Sequence, residues 1–422
     1  MHCSASWAES TFQPAWANPV QGVFPVPDHL EATYQIVTPM FIGGADQTPD
    51  DGIRPPTLKG ALRFWWRALH WGECLREAQT EAAALQGLHQ REARLFGLAA
   101  DGAGSGQGCF LLQIKTETHQ CVKANLPTAI AGHQYLLGQG LYHFKEQYLR
   151  EAMGTGEMRV TLRFRPGTAT DDRTSIAKAM LALGLLGGLG SRARKGFGAL
   201  AIQSLEGCPL TVPTNADQTR ACFETLITER LDALPPLTAF SAQTRIDLIT
   251  AHTSDPWTLL GELGAEMQRY RSWGQNGQVA GAPAERNFPD DHDLAQRAAA
   301  GETVATHPRR ALFGLPHNYY FSSTKDKLEI NAVAPKREGG WSDLGTYRRA
   351  SPLFLHPHQF PDGSMAAVIA LLPAQFLPDD WRIGLKDKRA PMRRVDVKPD
   401  WRVIHRFMDR FAGRNTLLEA RS

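Results

Sequence analysis

The strongest constraint on the fold is a run of strict alternation at residues 158–165. Every second side chain is apolar, at Met158, Val160, Leu162 and Phe164, and the positions between them are arginine or threonine. A period of two places the apolar side chains on one face of a β-strand and the polar ones on the other. The run therefore predicts a strand whose sheet buries one face.

Three more strands are predicted in the same half of the chain. Residues 32–42 are rich in β-branched and aromatic side chains and end at a pair of glycines, and residues 109–117 follow a glycine-rich turn. Residues 199–202 return to strand character after a second glycine-rich segment.

Two helical regions separate these strands. The first begins at Pro55 and Pro56, because early helical positions need no backbone N–H donor, and its helical character extends towards Leu95. Its apolar face consists of positions 58, 61, 62, 65 and 69. Residues 174–187 predict the second helix, which is apolar almost throughout. The resulting order, βαββαβ, is that of a ferredoxin-like (RRM-like) fold.

The second half of the chain predicts another α+β unit. Strands are expected at 244–251 and then near 318–333, 345–357 and 364–373, with a helix at 257–273. The pentapeptide RLFGL at 94–98 is echoed as ALFGL at 311–315, each ahead of a predicted strand. We therefore predict two ferredoxin-like domains, residues 1–210 and a diverged copy at 211–422, with a short helix in the stretch 211–238 that joins them.

Composition limits the environment and the cofactors. The sequence has no secretory signal pattern and no apolar run of membrane-spanning length, so a cytoplasmic protein without membrane contact is expected. Six cysteines are widely spaced without a C-x-x-C pair, which predicts reduced thiols and no cofactor. A metal site at Cys109, His119 and Cys121 stays a minor alternative.

The net charge is only +3, but residues 382–406 hold nine Lys/Arg against three Asp, which suits either a polyanion or a solvated surface.

A basic stripe is predicted on the first helix. It consists of Lys59, Arg63, Trp66, Arg67 and His70, which share one helix face. Cations interleaved with an aromatic ring suit phosphates and stacked bases, and a helix start offers free N–H groups to an anion. Arg54, just before the prolines, joins this set. The alternative is a solvated face with a half-buried tryptophan.

A glycine-rich segment at residues 188–198 is the second candidate. Its glycines are Gly188, Gly190, Gly196 and Gly198, and its cations are Arg192, Arg194 and Lys195. Glycines let a backbone approach a ligand closely, while the cations supply charge and forked donors. Its position and glycine spacing fit neither a Rossmann loop nor a Walker loop. A flexible turn stays open as an alternative.

Together these segments closely resemble the RAMP superfamily of CRISPR proteins, and specifically the first RAMP subunit of the Cmr (type III-B) effector complex. The motifs are TPMFIGGA at 38–45, RPPTLKGALRFWWRAL at 54–69, the glycine-rich segment 188–198, LFGLP at 312–316 and RRASPL at 348–353. The match is most specific within 34–98 and 184–200 and thins over the second half.

The resemblance implies a non-catalytic subunit with two ferredoxin-like domains. Such a subunit holds the 3′ part of the guide RNA, helps to capture target RNA for antiviral defence, and contacts other subunits of the Cmr complex. The residues by themselves indicate only that the ligand is nucleic acid.

Two other classes of function compete with RNA binding. A metal-dependent endoribonuclease would use Asp46, Asp50 and Asp51 in the loop after the first strand, with His70 or His133 as acid or base. Acidic residues in such a loop are more often turn formers.

A protein–protein scaffold would use the aromatic residues Trp273, Tyr319, Tyr320 and Trp341, which are otherwise core residues. The sequence also contains one H-x-H motif, His356-Pro357-His358, which we expect at a strand end or turn.

Overall fold

The structure is a computed structural model that describes residues 28–99, 106–116, 126–273, 277–342, 345, 347–388 and 391–421. The helices are α1 (Pro55–Glu77), α2 (Glu81–Phe96), α3 (Ala131–Leu137), α4 (Thr170–Leu186), α5 (Thr219–Leu226), α6 (Pro256–Arg271), α7 (Pro289–Ala299) and α8 (Arg402–Met408). The longer strands are β1 (His29–Ile36), β2 (Phe110–Thr116), β3 (Gly156–Phe164), β4 (Leu200–Glu206), β5 (Arg245–Thr250), β6 (His317–Phe321), β7 (Asp326–Val333), β8 (Leu353–Gln359), β9 (Met365–Leu371), β10 (Arg382–Lys386), β11 (Arg393–Val395) and β12 (Arg414–Leu418).

The first sheet has the order β2-β3-β1-β4, and all its neighbours are antiparallel. Val160 in β3 lies opposite Ala32 on one side and Ile114 on the other. The alternation predicted for β3 is confirmed, because the apolar positions are buried whereas Arg159 and Arg163 are exposed. One face of the sheet is thus closed by apolar packing.

Helices α1 and α4 pack against each other next to this sheet. The predicted apolar face of α1 is confirmed at Leu58, Leu62 and Trp65, each at most 2% exposed. Helix α4 also contacts β8 and β9, so it is surrounded by protein on most sides. This explains its apolar sequence, because a helix without a solvent face needs no polar stripe.

The second sheet has the order β8-β9-β5-β12, again antiparallel. Counted along the chain, both sheets follow the order second, third, first, fourth strand. In β9, Ala366, Val368 and Ala370 join the core that includes the first sheet, whereas Ala367 and Ile369 join a second core. The sheet is therefore buried on both faces, and β9 is a continuous apolar run for that reason.

The remaining elements are inserted into this second unit. A third sheet, β6-β7-β10-β11, draws its first two strands from the interval between α6 and β8 and its last two from the interval between β9 and α8. The repeated pentapeptides occupy matching intervals, because 94–98 lies between α1 and β2 and 311–315 lies between α6 and β8.

The structure corrects two predictions about the second half. The predicted strand 345–357 begins only at Leu353. The basic segment 382–406 is not a tail, because it contains β10, β11 and most of α8 and is followed by β12. His356 and His358 are fully buried, with Nε2 and Nδ1 3.2 Å apart, and His358 lies one residue before the end of β8.

The prediction of a mixed α/β chain is confirmed. None of the helices that the structure describes is long and apolar enough to cross a membrane. Cys74, Cys109, Cys208 and Cys222 are free thiols. His119 and Cys121, two of the three residues of the alternative metal site, lie outside the described residues.

Candidate nucleic-acid interface

The basic stripe of α1 is largely engaged within the protein. Nη1 of Arg67 lies 3.1 Å from Glu92 Oε2, and Nε of Arg63 lies 3.5 Å from Glu92 Oε1. Arg63 also donates to the carbonyl of Gly97. Glu92 is 6% exposed, so two guanidinium groups neutralise one buried carboxylate. These two arginines therefore hold α2 against α1. Because Glu92 already compensates their charge, they attract an RNA phosphate less strongly.

Trp66 does not present a ring to a base in this structure. It is 2% exposed, its Nε1 donates to Ser175 Oγ at 3.1 Å, and its ring stacks on His70 with centroids 4.5 Å apart. Burial lowers the pKa of His70, so this imidazole is neutral near pH 7. The predicted stacking role of Trp66 is wrong for this conformation, because a Trp at this helix position fills the space beside α4.

The start of α1 does not supply the predicted free N–H groups. Pro55 and Pro56 have none, and the N–H groups of Thr57 and Leu58 already donate to the carbonyl of Arg54. The side chain of Arg54 itself is exposed and donates to Gly43 O at 3.3 Å. Any anion at this helix end would therefore bind the guanidinium and not the backbone.

Two members of the stripe, Lys59 and Arg63, line a cavity of about 440 Å³ that extends to Arg165. The ammonium of Lys59 lies 5.5 Å from the ring centroid of Phe110. Burial, and then the nearby Arg63, lower the pKa of Lys59. Leu111, which is 70% exposed, stands at the same cavity. This pocket combines cations with apolar walls.

The glycines of the segment 188–198 are explained by packing within the protein. Gly190, Gly196 and Gly198 have φ values of +87°, +85° and +62°. A Cβ at Gly190 would lie 2.6 Å from Phe41 O, and one at Gly198 would lie 2.2 Å from Leu189 O. Gly188 has no room either, because its Cβ would lie 2.5 Å from Gly198 O. The predicted close approach of a ligand to these glycines therefore has no support here.

The segment folds tightly onto the chain that follows β1. Ser191 N donates to Phe41 O at 2.8 Å, Gly198 N donates to Pro39 O at 2.9 Å, and Thr38 Oγ1 donates to Gly196 O at 2.6 Å. These bonds fix the segment as a rigid loop. The alternative of a flexible turn is not what the structure shows.

The three cations of the segment point to different surroundings. Arg192 is exposed and has φ +66°, in the left-handed region that non-glycine residues seldom adopt. Arg194 lies 4.6 Å from the ring centroid of Phe354 and 5.4 Å from that of Phe64, and it donates to Ser351 O. Burial lowers the pKa of Arg194 to about 10. Arg194 thus joins the two halves of the chain. Arg192 is the most exposed of the three cations, and burial followed by the nearby Arg348 lowers its pKa.

Lys195 turns towards the second half. Its Nζ lies 3.5 Å from Met267 Sδ, and the backbone pairs in parallel with Leu355. Burial, followed by the neighbouring Arg271 and Arg192, lowers the pKa of Lys195 to about 7. Arg271 was not singled out from the sequence, since it ends a helix some 76 residues away in the chain and carries no local signal.

The two predicted segments do approach each other, but not through the basic stripe. A cavity of about 150 Å³ lies between the α1 residues Ala61, Phe64 and Trp65 and the glycine-rich segment. Lys59, Arg63 and Arg67 are on another side of α1. The structure therefore separates the predicted site into two regions.

The residues proposed for a nuclease have structural partners. Asp46 Oδ1 accepts from Thr48 N at 3.2 Å, and Asp50 Oδ2 accepts from Thr48 Oγ1 at 2.8 Å, as turn formers do. His133 is 1% exposed, stacks on Trp257 with centroids 3.8 Å apart and contacts Trp257 O at 2.8 Å. Among the described residues, no three His, Cys, Asp or Glu side chains are grouped to hold a metal ion.

The aromatic residues considered for a scaffold are mixed in exposure. Tyr320 is 58% exposed, whereas Trp273 stacks on His292 with centroids 4.1 Å apart. Tyr319 is half-buried, and Trp341 lies 5.1 Å from the guanidinium of Arg394. The expectation that all four lie in the core is therefore wrong, because Tyr320 is exposed, Trp273 and Trp341 are partly exposed, and only Tyr319 packs against a core.

Comparison with known proteins supports the resemblance found in the sequence. Residues 33–201 match the sequence model of the RAMP superfamily. Over this part of the chain the resemblance drawn from the motifs is confirmed. No curated protein has a significant sequence match to the chain.

Comparison with solved structures then shows a similar fold in one particular protein. The apo crystal structure of Cmr1 from Pyrococcus furiosus is similar to this chain with a TM-score of 0.53 and 14% identity, covering 93% of this chain and 99% of Cmr1. The chain thus has the mixed α/β fold of Cmr1. Two cryo-EM structures of Type III-B Cmr-beta bound to cognate target RNA, one also with AMPPnP and ssDNA, give 10% identity and TM-scores of 0.46 and 0.47 over 91% of this chain.

Proposed function

We propose that this chain is an RNA-binding subunit of a type III-B CRISPR (Cmr) effector complex. In this role it holds the 3′ part of the guide RNA, helps to capture target RNA, and contacts other Cmr subunits. The RAMP-superfamily domain and the fold shared with Cmr1 support the assignment to this class of complex. Two ferredoxin-like domains, residues 1–210 and 211–422, complete the proposal, supported by the identical strand order of the first and second sheets.

The exposure and the left-handed backbone of Arg192 are the main support for the RNA-binding role. A left-handed backbone costs a non-glycine residue about 1 kcal/mol or more, so asparagine or glycine would suit this position better. The chain nevertheless keeps an exposed arginine there, at the start of a turn in which Lys195 N donates to Arg192 O at 2.7 Å. A function that needs a forked, permanently charged donor at this point explains the choice, and an RNA phosphate is such a ligand.

The remaining candidate residues divide by the partners they already have. Arg54, which is exposed, and Lys59, which is partly exposed, are proposed as phosphate contacts together with Arg192. Arg63, Arg67 and Arg194 are proposed to act by positioning the surface, because each is held by other groups of the protein. The same holds for Trp66 and for the four glycines, which are Gly188, Gly190, Gly196 and Gly198.

Substitution of Arg192 by asparagine tests the RNA-binding role directly. Asparagine tolerates the left-handed backbone and removes the charge, so the fold should be retained or slightly stabilised. Affinity for a labelled single-stranded RNA should fall about 3- to 10-fold, which is ~0.7–1.4 kcal/mol, measured by fluorescence anisotropy. The slope of log affinity against log salt should fall by about 0.7, as for one lost phosphate contact.

Lys325 offers a matched control. It is also an exposed cation with a left-handed backbone, at φ +60°, but it lies in the turn between β6 and β7. Lys325→Asn therefore repeats the change of charge and residue type elsewhere. Equal loss of affinity in both variants would mean non-specific attraction, and an unchanged salt slope in Arg192→Asn would refute the assignment of Arg192.

We also propose that the chain does not itself cut RNA. The turn-forming contacts of Asp46 and Asp50 and the buried state of His133 support this view. Incubation of the purified chain with labelled RNA and Mg²⁺ tests it. Cleavage that is lost in Asp50→Ala or Asp51→Ala would establish the nuclease in its place.

A further inference from the structure

A second group of cations lies at the junction of the two halves of the chain. Lys195 comes from the glycine-rich segment, Arg271 from the end of α6, His317 from the start of β6 and Arg310 from the short 3-10 helix Arg309–Phe313. Nη2 of Arg271 lies 3.4 Å from Nδ1 of His317, and Nη1 of Arg310 donates to the carbonyl of Arg271 at 2.7 Å. Lys195 reaches the same helix, α6, through Met267, whose Sδ lies 3.5 Å from Nζ of Lys195. Four separate elements thus meet around the end of α6.

The charges of this group are poorly compensated. Neither Lys195 nor Arg271 forms an ion pair with any residue that the structure describes, and Asp291 pairs only with the adjacent arginines, at 3.5 Å from Nε of Arg310. The positive charges of Arg271 and Arg192 add to burial in lowering the pKa of Lys195. Like charges gathered in a poorly solvated place repel each other, so such an arrangement favours the binding of an anion.

Hydrogen-bond donors remain without partners at the same place. Nε of Arg271 and Nη2 of Arg310 are buried and make no hydrogen bond to any described residue, and Arg310 as a whole is only 6% exposed. Burial and the surrounding cations lower the pKa of His317 well below its ordinary value, so its ring is neutral. When Nδ1 accepts from Arg271, the ring proton is on Nε2, which becomes one more donor.

Aromatic rings fix the geometry of the arginines. The guanidinium of Arg271 lies 4.5 Å from the ring centroid of Phe313, and that of Arg310 lies 5.0 Å from that of Tyr319. Lys195, Arg271 and His317 are each partly exposed as residues, while the ammonium of Lys195 and the ring of His317 are buried. The donors are therefore held in place before any ligand arrives, which reduces the entropic cost of binding.

We propose that Lys195, Arg271, His317 and Arg310 form a binding site for one phosphate group at the junction of the two halves. A phosphate offers several oxygen acceptors and the negative charge that this group lacks. The phosphate belongs either to the backbone of the RNA, in which case the site rests on the proposed function, or to a free anion. Because its ligands come from both halves, an occupied site also links them.

Inorganic phosphate tests the site without RNA. The full-length protein, freed of nucleic acid, is titrated with sodium phosphate, with sodium chloride at equal ionic strength as reference, and its melting temperature is recorded. We expect a saturable rise in phosphate. Lys195→Met should lose this rise while melting at a higher temperature than the wild type in chloride, since a buried charge has been removed. Arg271→Gln is a second variant that should also lose the rise.

Arg297→Ala is the control, because Arg297 is an exposed cation of α7 paired with Glu302. It should respond to phosphate like the wild type. A wild-type protein without a saturable response, or a Lys195→Met protein with the full response, would overturn the proposal.

RNA-binding measurements then distinguish the two sources of the phosphate. If the backbone of the RNA fills the site, Lys195→Met weakens RNA binding about 3- to 10-fold, and inorganic phosphate competes with RNA beyond its ionic-strength effect. If a free anion fills it, phosphate still stabilises the protein while RNA affinity is the same in both proteins. A phosphate response in a protein that binds no RNA would uphold the site and refute the proposed function.

Discussion

The buried ammonium of Lys195 gives the most quantitative prediction. Its pKa is lowered from the ordinary 10.5 to about 7 by burial and by the nearby Arg271 and Arg192. At ~1.4 kcal/mol per pH unit, this difference corresponds to roughly 4–5 kcal/mol, and partial exposure with solvent screening reduces it to roughly 2 kcal/mol. Replacing Lys195 by methionine keeps an apolar stem of similar length and removes the charge.

The sign of the pH dependence follows from the lowered pKa. Between about pH 7 and 10.5 the unfolded chain binds the proton of Lys195 and the folded chain has lost it, so wild-type stability rises with pH in this window. Below pH 7 both states are protonated and the full cost is present. Lys195→Met should therefore raise the free energy of unfolding by roughly 2 kcal/mol at pH 6, and this gain should shrink towards zero as the pH approaches 10.5.

Urea unfolding of both proteins at pH 6, 7.5 and 9, in chloride buffers without phosphate or sulfate, measures this difference. The exposed Lys325 supplies the control, because Lys325→Met removes the same charge from solvent and should give no pH-dependent gain. Sulfate, which does not titrate in this range, should reduce the gain by stabilising only the wild type. A gain that is equal at all three pH values, or a variant that is less stable at pH 6, would refute the reasoning.

Three other predictions concern stability. Glu92→Gln leaves two guanidinium groups without their shared carboxylate and should cost roughly 1–3 kcal/mol in urea unfolding, so an unchanged midpoint would contradict the bridging role. Gly198→Ala should destabilise by about 1–3 kcal/mol, since the new Cβ would lie 2.2 Å from Leu189 O, whereas Gly60→Ala, with nothing within 4 Å on a helix, should stabilise by roughly 0.5–1 kcal/mol. Arg194→Ala should reduce stability by roughly 1–3 kcal/mol and RNA affinity no more than in proportion, and a selective loss of RNA binding would show that it contacts RNA.

The glycines of the segment 188–198 were correctly predicted to allow a close backbone contact. The predicted partner of that contact, a ligand, was incorrect. The glycines and cations of the segment stood out from the sequence, and glycine indeed serves close backbone contact there. The contact, however, is with the segment Pro39–Phe41 of the same chain, because the Cβ positions of Gly190 and Gly198 are filled by protein atoms. The spacing of glycines along the chain indicates that another group lies close to their backbone. It does not indicate which group that is.

The stripe on α1 is partly occupied by partners within the protein for a related reason. Helical spacing correctly predicted that Arg63, Trp66 and Arg67 share one side of the helix. It gave no information about α2 and α4, whose Glu92 and Ser175 take up these side chains. Partners from distant elements therefore decide whether a basic face binds nucleic acid or holds the fold together.

The sequence by itself determined the local elements and the class of protein. Alternation in β3, the apolar face of α1 and the RAMP motifs depend on neighbouring residues, so a single sequence contains them in full. The tertiary structure alone decided which cations remain available. It packed Arg194 against two rings, exposed Arg192 in a left-handed conformation, and brought Lys195 to Met267 of α6, because burial and long-range contacts depend on chain segments that only the folded core places side by side.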